Sequence, residues 1–159
     1  MIESDTPNII RSNKIHLDEI MKISLTAPCS FVRGPVGLVV MQDRLEKYKA
    51  KGGGHIPGAG AVTVVMVNLD RGEFWIEDAA IASSYILLAA EQYGLGAFWV
   101  HIRNRMGQEK TADEEIRSLL GVPENYAVLN LIAIGEKAEE KPGYTESDFD
   151  KSKIHMERF

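Results

Sequence analysis

Few residues in this chain are of a type and spacing that could do chemistry, and they fall into separate groups. Arg11, Ser12 and Lys14 place two cations and a hydroxyl within four residues. That set is suited to gripping a phosphate through charge-assisted hydrogen bonds. The competing reading is a polar segment exposed ahead of the first helix. Cys29 is the only cysteine, with no neighbouring histidine to hold it as a thiolate, and it reads as a small buried filler. Glu77 and Asp78 are adjacent in what reads as a helix's first turn, so they do not face each other as an acid–base pair. Their negative charge there complements the helix dipole. His16, His55, His101 and His155 show no paired metal-ligand spacing, and no metal site is expected. No G-x-S-x-G elbow occurs, and Ser83 and Ser84 lie inside a helical pattern, so no acyl-transfer nucleophile stands out.

The elements that must position these groups centre on residues 75–105, WIEDAAIASSYILLAAEQYGLGAFWVHIRNR. From Ala79 to Tyr93 nearly every position is small or apolar, which predicts a helix buried almost all round. Gly94 is placed to end it in the left-handed conformation. Residues 97–100 then predict a short core strand, leading through His101 into the basic loop Arg103-Asn104-Arg105. Residues 17–23 predict a first helix, and residues 37–41 a strand after a proline- and glycine-marked loop at 28–35. Residues 42–51 predict a short exposed helix, and 52–60 a glycine-rich connector. That connector lacks both the dinucleotide fingerprint and the P-loop spacing. The β-branched run 62–69 predicts a buried strand. Thr111 and Glu114 form a capping box opening a helix to Leu120, stopped by Gly121 and Pro123. Residues 127–134 predict another core strand.

At 159 residues the chain is long enough for one cored domain, preceded by a flexible lead over residues 1–9. The segment 136–159 is charged and poor in apolar residues. It must be either disordered or tied onto another surface. A net charge of −5 offers no broad basic face for nucleic acid. No apolar run approaches a membrane span and Met1–Thr6 is polar, so a cytoplasmic protein is expected.

Several of these blocks, in order, resemble the nitroreductase-like FMN-dependent oxidoreductases: EDAAIASSYILLAAEQYGLGAFWVHIRNR, then SLLGVPENYAVLNLIAIGEKAEEKP, then KIHMERF. The resemblance implies an α+β fold, a mostly antiparallel sheet flanked by helices, in an intertwined homodimer whose C-terminal segment wraps the partner. It implies FMN as cofactor, NAD(P)H as electron donor, and a small electron-poor acceptor such as a nitroaromatic or quinone. Arg11, Ser12 and Lys14 match the family's Arg-Ser-x-Arg phosphate motif, with lysine for the second arginine. The family's Pro-Ser-x-x-Asn-x-Gln-Pro flavin loop corresponds to residues 28–35, where Cys29, Val32 and Gly34 replace the serine, asparagine and glutamine. Cys29, Ser30, Phe31 and Val32, with Val100 and His101, would then flank the ring. For His101 a surface role at a strand end stays open. The lost polar side chains motivate an alternative: a non-catalytic flavin or small-molecule binder on the same scaffold. Flavin chemistry asks mainly that the protein orient and tune the ring, which agrees with the lack of a catalytic triad.

Overall fold

The computed structural model describes residues 14–30, 34–43, 45, 56–137 and 139–158, apart from the side chains of Lys14 and Ile15. The elements are α1 (Lys14–Leu25), β1 (Val36–Met41), β2 (Ala61–Asn68), α2 (Trp75–Gln92), β3 (Leu95–His101), α3 (Ala112–Leu120) and β4 (Tyr126–Glu136). The four strands form one antiparallel sheet in the order β1-β2-β4-β3, giving an α+β architecture. The β-branched run in β2 belongs at the centre of the sheet, where every residue from Ala61 to Val67 is buried.

The pleat divides the core. Val65, Val67, Leu129, Ile132 and Ile134 pack against Leu17 and Ile20 of α1 and against Ala79, Ala82 and Ile86 of α2. On the opposite face Val62, Val64, Val128 and Leu131 meet Ile102 and Ile116. The β2–β4 register shifts between Val65 and Met66, which partner Asn130 and Val128 and leave Leu129 as the extra residue of a bulge. The Leu129 carbonyl then accepts hydrogen bonds from both Ile102 N and Arg103 N, at 3.2 and 3.0 Å. In this way the bulge fixes the exit of the chain from β3.

The α2 helix differs from its sequence expectation. It starts at Trp75, two residues before Glu77, and it is buried along one face only. Asp78, Ala79, Ala82, Ser83, Ile86, Ala89 and Ala90 face inward, while Leu88 is 70% exposed. The physical reason is that two layers, α1 and the sheet, cover only one side of it. Its end follows the expected pattern, with Gly94 at φ +72°. The rings of His16 and Tyr93 stack at 4.7 Å and bind the start of α1 to the end of α2. The α3 helix carries the expected capping box on Thr111 and Glu114 and a left-handed Gly121.

The connector 52–60 is described only from Ile56, which is fully buried in a single 3₁₀ turn, Ile56–Gly58. Most of the expected helix at 42–51 lies outside the described residues. Every described residue from 139 to 158 is exposed, and this segment holds two 3₁₀ turns, Glu146–Asp148 and Lys151–Lys153. No described helix is long and apolar enough to cross a membrane.

Candidate functional site

The N-terminal end of α2 gathers two of the described candidate residues, Cys29 and Ser30. A cleft of about 280 Å³ lies between the end of α1 and the start of β1, walled by Ser24, Pro28, Cys29, Pro35 and Asp78. An apolar groove of about 290 Å³ adjoins it over Pro28, Cys29, Phe74, Asp78 and Ile81. Cys29 is half-buried at both, rather than packed as a core filler. Ser30 donates its backbone N–H to Asp78 Oδ1 at 2.9 Å and its hydroxyl to Oδ2 at 3.1 Å.

Asp78 corrects a sequence expectation. It is 2% exposed and holds a loop, whereas a residue serving only the helix dipole would sit in solvent. Glu77 beside it is exposed. One turn before Asp78, Trp75 carries the Arg103 guanidinium over its ring at 5.9 Å from the centroid, a cation–π contact. Sequence reasoning noted the basic loop but had no signal for its aromatic partner.

Arg11, Ser12, Phe31 and Val32 lie outside the described residues. Lys14 is the first residue of α1. Val100 is 2% exposed, and its side chain packs into the core on the α3 side of the sheet. It can therefore meet a ligand only through its main chain. His101 is exposed at the end of β3, opposite Asn130. Gly34 adopts φ +94°. Glutamine in that conformation would be strained, so glycine at 34 marks a different loop backbone as well as a missing polar group.

The loop after β3 is held by carboxylates of α3. Glu115 Oε1 accepts the N–H groups of Gln108, Glu109 and Lys110 at 2.6, 2.8 and 3.3 Å. Those amides, chiefly those of Glu109 and Lys110, hold its carboxyl below the usual glutamate range, against a smaller opposing effect of burial. A side chain at position 107 would meet the same carboxylate and displace it. The Thr111 hydroxyl and then its N–H likewise lower Glu114. Among the described residues no cluster of three His, Cys, Asp or Glu could hold a metal ion.

The fold is α+β, with a cleft built by the loop before β1 and the first turn of α2. Residues 48–136 match the Nitroreductase family, and the chain belongs to that family of oxidoreductases. It is 30% identical over 152 residues to a protein of Archaeoglobus fulgidus provisionally named NADH dehydrogenase/NAD(P)H nitroreductase, spanning 90% of this chain and 85% of that one. A protein of the same provisional name from Methanothermobacter thermautotrophicus is 32% identical over 153 residues, spanning 90% and 75%. Among solved structures, an FMN-dependent nitroreductase from Clostridium difficile R20291 superimposes with a TM-score of 0.84 at 39% identity. The match covers 92% of this chain and 88% of that one.

Proposed function

We propose that this protein is an FMN-dependent NAD(P)H oxidoreductase that reduces an electron-poor acceptor of nitroaromatic or quinone type in alternating half-reactions. The observation that carries this reading is the groove over Pro28, Phe74 and Ile81, on a chain 39% identical to a protein named as an FMN-dependent nitroreductase. Its apolar walls fit one face of a flat aromatic ring. FMN, when bound, takes up a hydride and hands the electrons on. Arg11, Ser12 and Lys14 bind phosphate and ribityl chain. Cys29 to Val32 lie along the ring, with Val100 contributing main chain and His101 standing beside it.

The working unit in this reading is a cytoplasmic homodimer with one domain per protomer. Two exposed surfaces support it: the outer side of α2, with Leu88, and the arm 139–158, with Tyr144, Phe149, Ile154 and Met156. A second copy would cover both. NAD(P)H as donor follows the names of the two archaeal relatives.

The test is the absorbance spectrum of freshly purified protein, with the released chromophore identified after denaturation. A yellow protein that releases FMN and is bleached by NADH or NADPH is expected. The alternative of a non-catalytic binder rests on Val32 and Gly34. It predicts FMN-dependent stabilisation without bleaching by either donor. A colourless protein whose melting temperature does not move with excess FMN would defeat the FMN reading and leave the binder of another small molecule.

A further inference from the structure

The last turn of α1 and the loop leading out of it are pinned to α2 at two points one helical turn apart. At the near end, the buried Ser24 hydroxyl donates to the Ala82 carbonyl at 3.0 Å. At the far end, Ser30 closes on Asp78 across 48 residues of sequence. Between them Thr26 N and Ala27 N donate back to Ile23 O and Ser24 O, which tightens the end of the helix. Burying a carboxylate is costly unless its oxygens receive hydrogen bonds. Here both oxygens receive them from the same loop residue. The cleft and the groove share Pro28, Cys29 and Asp78, so this one contact shapes both.

We propose that Asp78 is the positioning residue of the cofactor loop. Through Ser30 it fixes the main chain of residues 28–30, so that the loop meets the FMN ring preformed. This takes over the orienting task of the polar side chains that Val32 and Gly34 do not supply. The inference rests on the FMN reading above. Its physical basis is preorganisation: a loop already held in its bound shape loses less freedom when the ligand arrives. With few polar side chains to correct a misplaced ring, main-chain placement decides affinity.

The experiment compares wild type, Asp78→Ala, Asp78→Asn and Ser30→Ala as full-length, flavin-stripped proteins. Hydrogen exchange at the Ser30 amide is read without flavin, and FMN affinity by quenching of flavin fluorescence. In wild type the Ser30 amide should be protected. In Asp78→Ala it should exchange at least about tenfold faster and FMN should bind about tenfold more weakly, the scale of one hydrogen bond to a charged group. Asp78→Asn keeps an acceptor for the amide and should restore most of both. Ser30→Ala removes only the hydroxyl bond and should weaken FMN binding severalfold. It carries the affinity test if Asp78→Ala does not fold.

Faster exchange with unchanged FMN affinity would overturn the proposal and leave Asp78 a purely structural clamp. Unchanged exchange would overturn it at its first step. Wild type that protects Ser30 yet binds no FMN would instead sink the FMN reading, and the positioning role with it.

Discussion

Asp78 and Glu115 perform the same task in opposite settings. Each is a helix carboxylate that holds a neighbouring loop through main-chain amides. Asp78 is buried and reaches a partner 48 residues away, while Glu115 is half-exposed and reaches amides five to seven residues away. Glu115 closes a short local turn, so its loop loses little freedom on closing and water can replace the carboxylate if it goes. Asp78 sits where α1, its exit loop and α2 already meet, and its contact joins segments 48 residues apart. Identical chemistry therefore carries different weight: the buried, long-range contact shapes a site, and the local one shapes a turn.

The largest effect should follow removal of the buried partner. Asp78→Ala should lower stability by roughly 2–3 kcal/mol in denaturant unfolding, because it deletes the two hydrogen bonds from Ser30 to a buried carboxylate that tie the loop to α2. A loss under about 0.5 kcal/mol, the range of an ordinary surface substitution, would erase the distinction between the two carboxylates.

The same distinction decides what could be read from the sequence. The Thr111–Glu114 box and the Gly121 stop are local, with every partner within a few residues, and they stand where the pattern places them. The run 62–69 reads as a buried strand because it is β-branched and almost continuously apolar, and β2 stands inside the sheet. The clamp on Ser30 has no local signal. Asp78 looks like any acidic residue in a first helical turn until the fold delivers Ser30 to it. The apolar α2 composition was legible, but which of its sides stays exposed depends on what covers it. Glu115 was missed for a subtler reason: its partners are main-chain amides, which carry no residue identity.

An intermediate effect is expected at the local cap. The Thr111 hydroxyl accepts from Glu114 N at 3.3 Å, and Glu114 Oε2 accepts from Thr111 N at 3.1 Å. Thr111→Ala should cost about 1 kcal/mol in the same unfolding measurement, the usual worth of an N-cap. It should leave the Ser30 amide as protected as in wild type. Loosening at Ser30 in this variant would mean that the two faces of the sheet are coupled and the comparison does not isolate the clamp.

The smallest effect is conditional on pH. Glu115 is held below the ordinary glutamate range by the N–H groups of Glu109 and Lys110, with that of Gln108 adding to them. A carboxyl whose folded pKa lies below its unfolded value contributes stability that is complete above the unfolded value. That stability is lost as pH falls through the folded one. The stability difference between wild type and Glu115→Gln should therefore be level from about pH 8 down to about pH 5, and shrink on acidification below about pH 4. Glu114 and Asp148 are shifted in the same direction, but both proteins carry them, so the difference isolates Glu115. Denaturant midpoints collected across this range give the answer. A difference that persists undiminished into acid would mean that the three amides respond to the shape of the side chain rather than to its charge. Glu115 would then be a packing element, and only Asp78 would remain as a carboxylate whose hydrogen bonding holds a loop.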